Sequence, residues 1–145
     1  GFYHGGAPAI LRYLIFPLQR IMAKSFYTRE GRLRTLTPSF YDKNLITDEL
    51  LSAFLQAGQT PNAVAALEHM MRTAGEESYE GLSSKITTPT LLVWSRNNAN
   101  NPLTDGRRLQ QEIHRAQLAI IEQSGHYIQE EQPQALAAAI ETFTD

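Results

Sequence analysis

The sequence contains no cysteine, and this absence excludes several classes of protein. A chain without thiols cannot form a disulfide scaffold, a zinc finger or an iron–sulfur cluster, and it has no cysteine nucleophile. Glycine and proline are also sparse, at 9 and 7 of the 145 residues, while 42% of the residues are hydrophobic. This composition is far from that of disordered or collagen-like chains and predicts one folded, water-soluble domain.

A large excess of charge of one sign is missing as well. The formal net charge is -2 and the pI is about 6.1, so no overall positive field attracts nucleic acid or an anionic membrane surface. The longest apolar stretch, residues 7–23, is interrupted by Arg12, Pro17 and Arg20 and is too polar to span a bilayer. We expect no nucleic-acid or membrane partner, and the absence of a visible secretory signal favours the cytoplasm.

No cofactor and no metal are predicted either. A glycine-rich phosphate-binding loop is absent from the sequence. His4 lies in a glycine-rich start, whereas His69 and His114 fall on predicted helices, and their separation is not that of metal ligands.

The first part of the chain, residues 1–75, is predicted to be helical throughout. Apolar residues at steps of three and four indicate a first helix with one apolar side, and Pro17 is expected to kink it. Residues 28–35, which are rich in basic side chains, are predicted to be irregular. The apolar side of the first helix comprises Ile10, Leu11, Leu14, Ile15, Leu18, Ile21 and Met22.

Capping residues predict two further helices in this part. Thr47 is a suitable N-cap for a helix over Asp48 to Ala57, and Gly58 would end that helix. Thr60-Pro61 predicts the start of the next helix, which would continue to Gly75. Its expected buried residues are Val64, Leu67, Met70 and Met71.

After a linker at residues 76–85, the pattern changes to that of a parallel sheet. The continuous apolar run Leu91 to Trp94 is typical of a strand buried on both faces, and a second apolar run follows one helix later. The order strand, helix, strand, helix predicts a parallel βαβα unit, and hence an α/β fold, over residues 86–145. The predicted elements are Ile86 to Trp94, Leu103 to Arg115, Gln117 to Glu122 and Gln132 to Phe143.

Two strands do not complete a sheet. A lone parallel pair leaves both outer edges unpaired and its apolar side chains uncovered. We therefore expect the sheet to be completed by a missing N-terminal half of a larger doubly wound domain, or by a second copy of the chain in a homo-oligomer.

Two segments, Thr88 to Ser95 and Ser124 to His126, resemble the C-terminal third of the α/β-hydrolase fold. The helices that precede them, with Phe40 to Asp42 and Leu45 to Leu50, resemble the lid that this family inserts between its sixth and seventh strands. The resemblance implies that strands one to six precede Gly1. The lid is similar to those of the meta-cleavage-product hydrolases and related esterases. The matching segments are Thr88 to Ser95, Pro102-Leu103, Arg107 to Leu109, Ala119 to Ile121, Ser124 to His126 and Phe143 in the core, and Phe40 to Asp42 and Leu45 to Leu50 in the lid.

The resemblance implies positions for two members of a catalytic triad. In this family one strand ends in W-G-x-x-D, which carries the catalytic acid, and the next ends in G-H, which carries the catalytic histidine. His126 occupies the histidine position. Counting from Trp94 places Asn98 at the acid position, so an amide stands where the family has a carboxylate, and Ser95 stands where it has glycine. In serine hydrolases an Asp-to-Asn change in this role costs about 10⁴ in turnover.

Other parts of such a site are absent or ambiguous. The nucleophile motif G-x-S-x-G does not occur in the chain. Asp105 is near the acid position in sequence, but it falls in the first turn of a predicted helix, where it would stabilise the helix dipole. Trp94 and Tyr127 flank the two motif turns and are predicted either to line a substrate pocket or to pack in the core.

Three hypotheses follow. The chain is part of a hydrolase that cleaves an ester or carbon–carbon bond in a small apolar substrate, with His126 as general base, and it is inactive alone. Alternatively, it is a degenerate, non-catalytic relative that binds a ligand. The third hypothesis is a structural module that dimerises through its sheet edge.

Overall fold

A computed structural model describes residues 18–73 and 81–144 of the chain. It separates into two compact units. Of the described residues, the helical unit contains 18–37 and 46–73, and the sheet unit contains 38–45 and 81–144. The predicted division at residues 75 and 85 stays a prediction.

Four α-helices make up most of the helical unit. They are α1 (Leu18–Phe26), α2 (Arg29–Ser39), α3 (Asp48–Gln56) and α4 (Ala63–Thr73), and a 3-10 turn covers Ala57–Gln59. The last two residues of α2 belong to the sheet unit. The predicted start of the first helix near residue 7, its kink at Pro17 and His4 lie outside the described residues.

The core of the helical unit lies between α1 and α4. Ala23, Leu67 and Met71 are buried there, with Phe26 and Tyr27 packed against them. The expected apolar side of α1 is wrong for Leu18 and Ile21, which are 46% and 59% exposed, whereas Met22 is half-buried. Ile21 precedes Ala23 by two residues, so it projects from the opposite side of the helix. Met70, also expected to be buried, is 55% exposed.

Helix α2 contradicts the prediction that residues 28–35 are irregular. Thr28 caps its start, since the Thr28 hydroxyl accepts a hydrogen bond of 3.1 Å from the Gly31 N–H. Leu36 is fully buried on α2. Pro38 falls in the last turn, where its missing N–H removes only one helical hydrogen bond.

The buried Arg32 explains why the sequence pattern did not indicate this helix. Its side chain is only 7% exposed, and its guanidinium lies 4.0 Å from the centroid of the Phe26 ring. A cation over an aromatic face packs like an apolar residue. Arginine is normally assigned to the exposed side of a helix, so the buried side of α2 was not recognisable in the sequence.

The capping prediction for α3 is confirmed. The Thr47 side chain accepts a hydrogen bond of 3.2 Å from the Leu50 N–H, and Leu51 is buried at 1% exposure. Helix α4 begins at Ala63, two residues later than predicted from Pro61, because Asn62 has a φ of 66°, which lies outside the helical region.

The sheet unit contains the predicted parallel βαβα arrangement. Strands β1 (Thr90–Ser95) and β2 (Ala116–Ile121) are parallel, with Thr90 opposite Ala116 and Ser95 opposite Ile121. The remaining elements are α5 (Leu103–Glu112), α6 (Ile128–Glu131), α7 (Pro133–Thr144) and 3-10 turns at Lys43–Leu45 and Ser83–Lys85.

Details of this unit differ from the prediction. Residues 90–94 of β1 are half-buried rather than buried on both faces, because each strand has one neighbour among the described residues. Helix α5 ends at Glu112 instead of Arg115, since Ile113 is extended and Arg115 has a φ of 62°. Consequently His114 lies in a turn. On α7, Ile140 is 47% exposed although it was expected on the buried face.

Within the described residues, no helix is long and apolar enough to cross a membrane.

Candidate functional site

Two loops at one edge of the sheet carry the predicted site. Asn98 lies three residues after the end of β1, and His126 lies five residues after the end of β2. The strand ends Ser95 and Ile121 are paired in register, so both loops leave the sheet at adjacent points. The carboxyl edge of parallel strands is where α/β proteins bind ligands.

Asn98 and His126 lie in direct contact. The Asn98 Nδ2 atom is 3.3 Å from His126 Nδ1, and both side chains are partly buried. The structure thus brings together the two residues that the sequence assigned to the acid and histidine positions. Their catalytic roles stay a prediction.

The oxygen of the Asn98 amide is used within its own loop. Asn98 Oδ1 accepts hydrogen bonds from the backbone N–H groups of Asn100, at 3.0 Å, and Asn101, at 3.1 Å. This loop is also joined to the end of α2, because Asn100 Nδ2 donates to the Ser39 hydroxyl at 3.0 Å. The carboxamide of Asn98 is therefore held on both sides, by the turn and by the imidazole.

Hydrogen bonds also hold the backbone around His126. The His126 N–H donates to the Ser39 carbonyl at 2.6 Å, and the Gly125 N–H donates to a carboxylate oxygen of Glu131 at 2.5 Å. There is no room for a side chain at Gly125: a Cβ atom would lie 2.9 Å from the Tyr41 nitrogen and closer still to the Ser39 oxygen. Glycine is required at this turn by close packing.

Sequence reasoning missed Glu131. Its carboxylate is buried, and its second oxygen accepts hydrogen bonds from the N–H groups of Tyr41, at 2.7 Å, and Asp42, at 2.9 Å. Glu131 therefore ties residues 41–42 to the turn that carries His126. The adjacent Glu130 is exposed, so composition alone offers no signal that separates these two acids.

The nearby serines do not resemble a nucleophile. Ser95 and Ser124 are fully buried, and their hydroxyls are 3.2 Å apart. The Ser95 hydroxyl also donates to the Gly125 carbonyl. A nucleophilic serine needs its hydroxyl free to meet both a base and a substrate. These two side chains instead fasten the end of β1 to the histidine turn.

Trp94 and Tyr127, which were predicted to flank the site, lie in different surroundings. The Trp94 ring packs on α5, where a Cβ atom at Gly106 would lie 2.7 Å from the indole, and its Nε1 donates to the Asn101 carbonyl at 3.0 Å. Tyr127 contacts the histidine, with ring centroids 5.2 Å apart, and stacks on Phe40 at 5.1 Å. Of the two, Tyr127 is the residue in ring contact with His126, and its contact with a substrate stays a prediction.

Other titratable candidates lie elsewhere. His69 and His114 are exposed, and Asp105 lies in the first turn of α5 as predicted. Among residues 18–73 and 81–144, no group of three or more acidic or histidine side chains could hold a metal ion.

Comparison with known proteins supports the resemblance seen in the sequence. No protein-family model matches the chain. It is 24% identical to the uncharacterised hydrolase YugF of Bacillus subtilis, over 99% of this chain and 52% of that protein. It is 27% identical to a 2-hydroxy-6-oxononadienedioate/2-hydroxy-6-oxononatrienedioate hydrolase of Cupriavidus pinatubonensis, over 95% of this chain and 50% of that protein. The chain thus spans about half the length of these relatives.

Solved structures of hydrolases have a similar fold. A meta-cleavage product hydrolase from Pseudomonas fluorescens superposes with a TM-score of 0.69 at 23% identity, covering 85% of this chain and 49% of that one. A serine hydrolase involved in carbazole degradation has a TM-score of 0.67 at 20% identity, covering 81% and 47%. The described residues therefore have the fold of part of an α/β-hydrolase, and the chain spans about half the length of these solved structures.

Proposed function

We propose that the complete protein is a hydrolase that cleaves an ester or carbon–carbon bond in a small, fairly apolar substrate, and that this chain supplies its histidine. The observation that carries the proposal is the contact between His126 and the side chain at the acid position, at the carboxyl edge of the sheet. The similarity to proteins named as hydrolases, one of them a meta-cleavage product hydrolase, supports the same chemistry.

The proposed roles follow from acyl-transfer chemistry. A hydrolase of this type needs a nucleophile, a histidine that takes and returns its proton, and an acid that orients the histidine. His126 would take the proton of a serine, and Tyr127 beside it would contact the substrate. Because the chain has no G-x-S-x-G motif, and Ser95 and Ser124 are buried, the nucleophile would come from outside this sequence. This chain alone would be inactive.

Asn98 makes the proposed enzyme a slow one. An amide carries no charge to stabilise the imidazolium that forms when His126 takes a proton. Replacing Asn98 with Asp would restore that charge, and an Asp oxygen could still accept the N–H groups of Asn100 and Asn101.

The test uses the protein encoded by the complete reading frame and a chromogenic ester such as p-nitrophenyl butyrate. We expect measurable turnover, its loss in His126→Ala, and a rise of up to about 10⁴-fold in Asn98→Asp. Asn97→Asp is the matched control, since it adds the same charge to the exposed neighbouring residue. A reading frame without a nucleophile motif, or equal rates in wild type and His126→Ala, would contradict the proposal.

The amide at position 98 also favours a second candidate function, ligand binding without hydrolysis. Under that function a small molecule would bind at the His126 edge of the sheet unit without being cleaved. Asn98→Asp would then leave the ester rate at background while ligand binding persisted, which separates this candidate from a weakened enzyme. Cofactors are not required by either function.

A further inference from the structure

The hydrogen bonds of Asn98 determine which way round its amide lies. Two backbone N–H groups point at one side-chain atom of Asn98, at 3.0 and 3.1 Å. Only an oxygen can accept from both. If the amide were rotated by 180°, its NH₂ group would face these two donors, and neither backbone N–H would be satisfied. The NH₂ group of Asn98 must therefore face His126.

This orientation restricts the proton of the imidazole. The Asn98 NH₂ group is a donor, and it lies 3.3 Å from His126 Nδ1. A ring protonated at Nδ1 would direct an N–H at another N–H. A ring with a bare Nδ1 accepts the hydrogen bond. A neutral histidine with a bare Nδ1 carries its proton on Nε2.

We propose that Asn98 is a positioning residue that holds the proton of neutral His126 on Nε2, so that the ring presents a hydrogen-bond donor to the site instead of a base. The ligand group that matches such a donor is an oxygen acceptor, either a carbonyl or a carboxylate. Among residues 18–73 and 81–144, the hydrogen bond of the His126 ring is made through Nδ1, so the ligand would be bound through Nε2.

The consequence for reaction chemistry rests on the proposed function. To accept a proton from a serine, His126 needs its lone pair on Nε2 and its proton on Nδ1. With Asn98 present, that form loses the hydrogen bond from the amide. Asp at position 98 would reverse the preference, since one carboxylate oxygen would accept from Nδ1–H while the other kept the loop hydrogen bonds.

The experiment is long-range ¹H–¹⁵N correlation NMR on the ¹⁵N-labelled chain, at a pH where histidine is neutral. This spectrum distinguishes a protonated from a bare ring nitrogen, and comparison with His126→Gln assigns the signals of His126. The exposed His114 provides a reference within the same sample, whereas His69 does not, because its Nδ1 lies 3.4 Å from the Arg72 guanidinium. We expect the ratio of the Nε2–H to the Nδ1–H form to be about tenfold higher for His126 than for His114. We expect Asn98→Asp to make Nδ1–H the major form, and the control Asn97→Asp to change nothing.

Three results would overturn the proposal: a ratio at His126 no higher than that of His114, a dominant Nδ1–H form in wild type, or no change in Asn98→Asp. The wild-type spectrum decides the question even if a variant fails to fold. Because the spectrum does not depend on turnover, an inactive complete protein whose His126 is protonated on Nε2 would refute the hydrolase and leave this inference standing.

Discussion

The carboxylate of Glu131 accepts the backbone N–H of Gly125 at 2.5 Å, one residue before the histidine of the site. The other carboxylate oxygen accepts two more N–H groups, from Tyr41 and Asp42. A single buried acid therefore satisfies three backbone donors that belong to two segments far apart in sequence. It acts through the turn that carries His126 and does not touch the imidazole in any hydrogen bond of the described structure.

Replacing Glu131 with Gln should lower the free energy of unfolding by about 1–3 kcal/mol, because one amide N–H group would then face the Gly125 N–H and leave a buried donor unsatisfied. Urea denaturation measures this change. Glu130→Gln is the matched control, since the neighbouring acid is exposed, and it should remain within about 0.5 kcal/mol of wild type. Equal effects of the two substitutions would contradict the role assigned to Glu131.

Replacing Gly125 with Ala should destabilise the chain by about 1–3 kcal/mol through steric overlap with the Ser39 and Tyr41 backbone. It should also move the NMR signals of the His126 ring, because the next residue carries that ring. Gly81→Ala is an informative comparison: Gly81 has open space around it but a φ of 78°, so its cost comes from backbone conformation alone, about 1 kcal/mol. Unchanged His126 signals in Gly125→Ala would refute the steric argument.

Replacing Leu36 with Ala should cost about 2–5 kcal/mol, since this side chain is fully buried on α2. The same substitution at Leu45, which is 39% exposed, serves as control and should cost much less. Thermal or urea unfolding of both variants measures the difference. A Leu36→Ala variant as stable as Leu45→Ala would contradict the burial of Leu36.

Replacing Thr47 with Ala should lower the free energy of unfolding by about 1 kcal/mol, because the Leu50 N–H would lose its side-chain acceptor at the start of α3. Ser52→Ala in the same helix is the control. The Ser52 hydroxyl bonds to a carbonyl of the preceding turn and caps nothing, so its removal should be close to neutral. A Thr47→Ala variant as stable as Ser52→Ala would show that the cap contributes nothing.

The sequence predicted the elements that are set by contacts between residues close together in the chain. The apolar runs Leu91 to Trp94 and Leu118 to Ile121 predicted both strands, and Thr47 predicted the start of α3, since strand burial and capping depend on neighbouring residues. Helix α2 could not be predicted in this way. Its buried side includes Arg32, whose burial depends on the Phe26 ring in another helix.

Some features of the candidate site were likewise predictable from the sequence, and others were not. The strand pattern placed His126 after a predicted parallel strand, at the edge where such sheets bind ligands, and the resemblance to the α/β-hydrolases placed Asn98 at the acid position after the preceding strand. Spacing could not determine which side of the Asn98 amide faces the imidazole, nor that Glu131 is buried while Glu130 is exposed. Those features depend on where backbone N–H groups of distant segments point once the chain is folded. The sequence by itself thus determined both strands, the start of α3 and the candidate histidine, because these depend on neighbouring residues. The tertiary structure decided helix α2 and the hydrogen bonds around the candidate site, because these depend on contacts between distant segments.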